Sequence, residues 1–106
     1  MTWKVEFIPE AVKDLEKLDN SQRILVLKGI QKVQQNPLPD YEGGYGKPLG
    51  NHKNSRLAGY LKIKLKKLGL RVVYKAVKEN NVMKIIVIAV RDDEAVYKMA
   101  ENRIKN

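Results

Sequence analysis

Cysteine is absent from the 106-residue chain, and histidine occurs once, as His52. Without thiols the chain forms no disulfide and no thiolate metal site, and this composition fits a reducing compartment. A single histidine also excludes a metal site that is built from several imidazoles. We therefore expect a protein whose chemistry uses neither a metal nor another cofactor.

Long hydrophobic runs are also missing. No apolar segment approaches the roughly 20 residues of a membrane-spanning helix, and residues 1–6 lack the form of a signal peptide. We expect a cytoplasmic protein that does not bind membranes. The length is that of one compact domain, and 43% of the residues are hydrophobic, which is enough for a core. We interpret residues 1–106 as a single domain.

Positive charge is in excess and is unevenly distributed. The net charge is +9, and residues 1–57 contribute nine basic and seven acidic residues. Residues 58–106 contribute twelve basic and five acidic residues, so most of the excess lies in the second half. A basic half indicates an anionic partner, either nucleic acid or an acidic protein segment, and charge alone does not choose between them.

Residues 61–74 alternate apolar and cationic side chains. A β-strand sends successive side chains to opposite faces, which predicts one apolar face and one cationic face. Leu61, Ile63 and Leu65 share the first face, and Lys62, Lys64 and Lys66 share the second. Gly69 predicts a tight reversal into a second strand over residues 70–77, on which Arg71 alternates with apolar neighbours. The alternative is that these lysines only solubilise a sheet face or protect an edge strand.

The remaining elements follow from hydrophobic periodicity. Residues 2–8 alternate as a half-buried strand, and residues 82–90 form a β-branched run that is typical of a strand buried on both faces. Helices are predicted over residues 10–18, 22–35 and 95–104. The apolar stripes of the first two contain Val12, Leu15 and Leu18, and Leu27, Ile30 and Val33.

Residues 36–59 hold most of the proline and glycine and are interpreted as one long connection. The predicted fold is therefore α+β. An N-terminal strand is followed by a helical hairpin, a three-stranded antiparallel meander and a C-terminal helix.

Five residues would meet on one surface if the last three strands are antiparallel neighbours: Lys62, Lys64, Arg71, Arg91 and Tyr97. Four cations and a phenol are suited to binding phosphate. RNA carries its own nucleophile, the 2′-hydroxyl, beside each scissile phosphate. Cations would stabilise the phosphorane, and Tyr97 would act as general base. Arg91 is interpreted as a charge stabiliser because its guanidinium is essentially never deprotonated, so a lysine or water would donate the proton.

Residues 60–65, residues 69–74, Arg91 and the pair Val96–Tyr97 resemble the RelE-type branch of the RelE/ParE superfamily of bacterial toxins. The resemblance covers nearly the whole chain and implies the fold described above. It implies a toxin of a type II toxin–antitoxin system that cuts mRNA in the ribosomal A site without a metal. By this resemblance the five residues form the active site, with Tyr97 as base and Arg91 on the leaving-group side. It also implies a small antitoxin, encoded nearby, that wraps the toxin.

Further RNA contacts are assigned to four cations: Lys66, Lys67, Lys53 and Arg56. The last two lie in residues 51–56, which look inserted relative to the family. This segment would touch ribosomal RNA or form a mobile surface loop, and we favour the loop because loops tolerate insertion.

Two alternatives remain open. A ParE-like gyrase poison shares the fold but generally lacks the basic catalytic set, and gyrase-dependent DNA cleavage with intact mRNA would identify it. A non-enzymatic basic RNA-binding module would bind RNA with strong salt dependence and cleave nothing.

Overall fold

The computed structural model describes residues 3–49, 59–90 and 93–104. Its strands are β1 (Lys4–Phe7), β2 (Lys47–Pro48), β3 (Tyr60–Leu65), β4 (Leu70–Val77) and β5 (Val82–Val90). Its α-helices are α1 (Pro9–Glu16), α2 (Asn20–Gln34) and α3 (Asp93–Ile104), and Asp40–Glu42 forms a 3₁₀ turn.

The strands form one sheet in the order β1-β5-β4-β3-β2. β1 runs parallel to β5, and all other neighbours are antiparallel. The predicted α+β fold is confirmed, from the helical hairpin through the meander to the last helix. Among the described residues, no helix is both long and apolar enough to cross a membrane.

The β3–β4 hairpin follows the predicted alternation. Leu61 and Ile63 are buried, whereas Lys62 and Lys64 point to the other face and are half-buried. The turn ends at Gly69, whose φ of +65° is a conformation that a side chain would strain. One face of the hairpin is therefore available for packing, and the other carries cations.

The core has two parts, one on each face of the sheet. Helices α1 and α2 cover one face, where Val26, Ile30, Val72 and Ile85 are buried together. Helix α3 covers the other face through Val96 and Ala100. β5 contributes to both parts, as predicted for a central strand.

β5 carries an extra residue where it pairs with β4. Val73 pairs with Val87 and Tyr74 pairs with Ile85, so that Ile86 lies in a bulge. Both Ile86 and Val87 consequently belong to the core part under α3. This bulge fixes which side chains of the sheet meet the last helix.

Two predicted stripe positions are wrong. Val12 is 40% exposed and Leu27 is 38% exposed. α1 buries Ala11 and Asp14 instead, and α2 buries Val26 with Ile30 and Val33. Helical spacing gives the period of a stripe, but the approach of the helix to the sheet sets its phase. At Gly29 a Cβ would lie 2.8 Å from the Leu65 side chain, so this glycine brings α2 against β3.

α2 begins at Asn20, two residues before the predicted start, and Asp19 is its N-cap. The Asp19 carboxylate accepts the Gln22 backbone N–H at 2.8 Å, and the Gln22 side chain accepts the Asp19 N–H at 3.3 Å. The hydrogen bond from Gln22 N–H, followed by that from the Ser21 hydroxyl, lowers the pKa of Asp19. This reciprocal capping box satisfies backbone donors that the first turn leaves without helical partners.

The long connection contains structure that the sequence did not predict, including β2. Pro37 accepts a hydrogen bond at 2.7 Å from the hydroxyl of the buried Tyr74. A Cβ on Gly46 would lie 2.2 Å from that hydroxyl, and a Cβ on Gly44 would lie 2.0 Å from the Leu38 carbonyl oxygen. These two glycines are needed because the backbone folds closely around Tyr74, whose pKa burial raises.

Candidate active site

The cationic face of the β3–β4 hairpin lies on the α3 side of the sheet. Lys64 pairs directly with Arg71. Two residues further along the strands, on the same face, Lys62 pairs with Val73. That spacing is about 6.6 Å at the usual strand rise. On the other side of β3, Lys47 of β2 pairs with Lys62 and adds an exposed cation. The register thus gathers four cations from three strands.

Tyr97 reaches this face from the first turns of α3. The helix is fixed by Val96 and Ala100, which pack on Val73 and Val87, and Tyr97 is only 7% exposed. The Lys62 ammonium donates a hydrogen bond of 2.9 Å to the Tyr97 hydroxyl oxygen. The same Nζ lies 5.6 Å from the centroid of the ring. A strand lysine and a helix tyrosine are therefore in direct contact.

Four of the five predicted catalytic residues thus lie on one surface. Lys62 touches Tyr97, and Lys64 and Arg71 form the neighbouring pair. Arg91 lies outside the described residues. The catalytic roles of all five remain predictions, and the geometry supplies a phenol beside an ammonium with two further cations in the next row.

The predicted RNA-binding cations lie elsewhere. Lys66 and Lys67 are exposed in the turn between β3 and β4. They border a groove of about 340 Å³ that Leu25 of α2, Leu68 and the candidate catalytic Lys64 also line, so this groove adjoins both α2 and the cationic face. Lys53 and Arg56, with the whole of residues 51–56, lie outside the described residues.

A buried ion pair that sequence reasoning missed holds α3 in place. Arg103 donates to both carboxylate oxygens of Asp14, at 2.6 Å and 3.0 Å. The same guanidinium donates to the Ile86 carbonyl at 2.8 Å, and Asp14 accepts the Ile88 N–H at 3.0 Å. These two backbone groups belong to the part of β5 that extends beyond its pairing with β1. On that side of β5 they therefore have no partner from β1. The sequence signal that could have revealed this ion pair is Asp14, an acidic residue on the face of α1 that is buried.

Metal ligands do not cluster in the described part of the chain. Across residues 3–49, 59–90 and 93–104, no group of three or more His, Cys, Asp or Glu side chains is placed to hold a metal ion.

Comparison with known proteins gives a consistent result. No family model matches the chain. A curated Escherichia coli protein described as a RelE-like toxin is 26% identical over 105 residues, which cover 99% of this chain and 100% of that protein. A mutant of the Escherichia coli toxin RelE in the free state superposes with a TM-score of 0.74 at 26% identity, covering 98% of this chain and 99% of that one. Such a RelE mutant in complex with a peptide of the antitoxin RelB has a TM-score of 0.68 at 25% identity, covering 94% and 95%.

Proposed function

Because this chain is a RelE-type toxin of the RelE/ParE superfamily by sequence and fold, we propose that it is a ribosome-dependent mRNA endoribonuclease. The proposal takes residues 1–106 as one toxin domain that acts in the cytoplasm, on mRNA in the ribosomal A site. The observation that carries it is the 2.9 Å contact between the Lys62 ammonium and the Tyr97 hydroxyl.

The reaction that this arrangement favours is attack of the 2′-hydroxyl on the adjacent phosphate. RNA supplies the nucleophile, so the protein must remove one proton, stabilise the charge on the phosphorane and help the 5′-oxygen leave. Fixed cations provide the electrostatic contribution, which is often the largest single contribution to catalysis. The cations therefore supply the charge stabilisation that a metal would otherwise provide.

Tyr97 is the proposed general base. Its hydroxyl oxygen accepts a charge-assisted hydrogen bond from Lys62, which stabilises negative charge on that oxygen. Low exposure strengthens this interaction because little water competes for either group. Lys62 is thus a partner of the base, and it also contributes positive charge beside the phosphate.

Arg71 and Lys64 are the proposed phosphate ligands. They pair across β3 and β4 in the row next to Lys62, on the same face. A guanidinium binds two phosphate oxygens at once, and an ammonium adds a point charge. Arg91 is proposed to stabilise charge on the leaving-group side, with a lysine or water donating the proton, because an arginine does not release a proton at neutral pH.

A small antitoxin is the proposed protein partner. The RelE mutant from Escherichia coli has been solved with a peptide of the antitoxin RelB, and this chain shares its fold. The charge of +9 favours an acidic segment that folds across the cationic face and covers Tyr97.

Substitution of the base tests the assignment of roles. Tyr97→Phe keeps the ring in its packed position and removes only the oxygen that Lys62 contacts. We expect the rate of mRNA cleavage on programmed ribosomes to fall by about 10² to 10⁴. The 3′ ends of the products are analysed for the cyclic phosphate that attack by the 2′-hydroxyl leaves.

The matched control is Tyr41→Phe, which removes a hydroxyl from an exposed tyrosine that lies away from this face. Its rate should equal that of the wild-type protein. Wild-type rates in Tyr97→Phe would refute the assignment of the base. Products that end in a 3′-hydroxyl would refute attack by the 2′-hydroxyl.

A further inference from the structure

A second group of cations and an aromatic ring lies on the α3 side of the sheet, away from Tyr97. Tyr60 pairs with Lys75, and Lys75 pairs with Lys84, so the three side chains form one row across β3, β4 and β5. The Lys75 ammonium lies 5.4 Å from the centroid of the Tyr60 ring. We call these three residues the Tyr60 row.

Neither lysine of this row forms a salt bridge within the described part of the chain, although Glu6 of β1 pairs with Lys84 from the other side of β5. Both lysines are exposed, and they lie directly opposite each other on neighbouring strands. Like charges in such a position repel, which destabilises the sheet locally. An anion bound between them would remove that repulsion, and the two ammonium groups are well placed to hold one.

Tyr60 supplies an aromatic surface beside these cations. Its ring is half-buried and packs against the core part under α3, and burial raises the pKa of its phenol. The phenol therefore stays neutral at physiological pH and does not repel a phosphate. An aromatic face beside lysines is the usual construction of a site for single-stranded nucleic acid, because bases stack on the ring while the cations follow the backbone.

The row borders a cavity of about 380 Å³ between the start of α1 and the end of α3. One wall contains Glu10, whose carboxylate opposes anion binding, and another contains Arg103, whose guanidinium is committed to Asp14. Two carboxylates, Glu6 beside Lys84 and Glu10 in the wall, therefore oppose the positive charge that the two lysines of the row supply. Replacement of Glu10 by glutamine should therefore strengthen anion binding, whereas replacement of either lysine should weaken it.

The distance to the candidate active site fits a continuous RNA strand. Tyr60 and Lys64 lie on the same face of β3, four residues apart, which is about 13 Å at the usual strand rise. Lys62 lies between them, and Lys47 flanks Lys62 on β2. A strand whose scissile phosphate lies near Tyr97 would reach the Tyr60 row with its neighbouring nucleotides.

We propose that Tyr60, Lys75 and Lys84 form a nucleotide-binding subsite in which a base of the RNA stacks on Tyr60 and an adjacent phosphate lies between the two lysines. The choice of RNA as ligand rests on the proposed function. An acidic peptide would also bind the lysines, but it would gain little from the exposed ring face.

The test measures binding without cleavage. The probe is a short single-stranded RNA made of 2′-O-methyl nucleotides, whose blocked 2′-oxygen prevents the reaction, and fluorescence anisotropy gives the affinity over a range of salt concentrations. Tyr60→Ala should weaken binding by between about fivefold and a hundredfold, and Tyr60→Phe should bind as the wild-type protein does. Lys75→Gln and Lys84→Gln should each reduce the salt slope by about 0.7.

Lys28→Gln on α2 is the matched control, because it removes the same charge from an exposed position on the opposite side of the sheet. It should leave the slope and the affinity nearly unchanged, whereas Glu10→Gln should tighten binding. Equal behaviour of Lys28→Gln and Lys75→Gln would show an effect of net charge alone and would overturn the subsite. Lack of any binding by the wild-type protein at low salt would also overturn it.

Two further measurements separate this inference from the proposed function. Tyr97→Phe should bind the probe normally while its cleavage is lost. Wild-type cleavage together with unchanged binding in Tyr60→Ala, Lys75→Gln and Lys84→Gln would refute the subsite and leave the nuclease standing. Weakened binding in those variants, with no cleavage by the wild-type protein, would support the subsite and refute the nuclease. A poly-glutamate peptide that responds to Tyr60→Ala as RNA does would identify a protein-docking surface instead.

Discussion

The ion pair between Asp14 and Arg103 should be the most sensitive polar contact in the fold. Arg103→Met keeps much of the side-chain volume but leaves the Asp14 carboxylate 7% exposed and without its cationic partner. Removing one member of a buried pair typically costs about 3 to 5 kcal/mol. Because the Arg103 side chain is 15% exposed, some water reaches the site, and we expect about 3 kcal/mol.

The double variant Asp14→Leu/Arg103→Met should lose less stability than the sum of the losses in the two single variants. No charge is then left unpaired, and the cost is that of the orphaned Ile88 N–H and Ile86 carbonyl, about 1 to 3 kcal/mol each. Urea denaturation followed by far-UV circular dichroism gives the free energies of unfolding. The control is Lys78→Met, which removes an exposed pair with Glu42 of 2.9 Å and should cost at most about 1 kcal/mol.

Additive costs of the two single variants would refute this reasoning, because an interaction energy near zero means that the groups do not stabilise each other. A cost for Arg103→Met no larger than that for Lys78→Met would refute the role of burial. Either result would remove the ion pair as the reason why α3 stays on the sheet.

Two further predictions concern single tyrosine and aspartate side chains. Tyr74→Phe should cost about 1 to 3 kcal/mol in urea denaturation, because the buried Pro37 carbonyl loses its donor. Burial raises the pKa of Tyr74, so the stabilisation is complete below about pH 10, the ordinary tyrosine value, and is lost as the pH rises through the raised value. Stability should therefore fall less steeply in Tyr74→Phe than in the wild-type protein above pH 10, and equal slopes would contradict the assignment. Asp19 has a lowered pKa, so its cap stabilises α2 above the unfolded value of 3.8 and this contribution is lost as the pH falls through the lowered value. The melting temperatures of wild-type and Asp19→Asn protein should differ at pH 7 and converge at strongly acidic pH. A difference that stays constant with pH would contradict the cap.

The sheet was largely predictable from sequence because its signals are local. β4 and β5 span the residues 70–77 and 82–90 that periodicity indicated. The alternation in β3 assigned Lys62 and Lys64 to the correct face, but Lys66 lies in the turn after β3 and not on the strand. A strand of period two leaves little freedom, since a shift by one residue would bury every lysine. The sequence predicted less well which side of each helix faces the core. Val12 and Leu27 were assigned to the wrong side, because a helix can rotate about its axis toward whichever face packs best.

The candidate site was predictable only in part. The sequence placed Lys62, Lys64 and Arg71 on one face, but the contact with Tyr97 depends on how α3 crosses the sheet. That crossing is set by the Ile86 bulge and by the ion pair to Asp14, neither of which has a local signal. Asp14 and Arg103 are separated by most of the chain, so only the folded backbone shows that they meet.

The Tyr60 row was missed for a related reason. Its members come from three strands, and their alignment is a property of the ladder registers rather than of any one segment. No local pattern in the sequence distinguishes Lys75 or Lys84 as a binding residue. Their direct opposition appears only when β4 is paired with β5.

The most direct test of the central claim is cleavage of mRNA by the purified protein on programmed ribosomes, beside naked mRNA and beside the Tyr97→Phe and Arg91→Ala variants. The account predicts cuts that require the ribosome, leave a cyclic phosphate at the 3′ end and almost disappear in both variants. Folded wild-type protein that leaves mRNA intact in every condition would contradict it, and gyrase-dependent DNA cleavage in the same preparation would assign the toxin to the ParE mode of action.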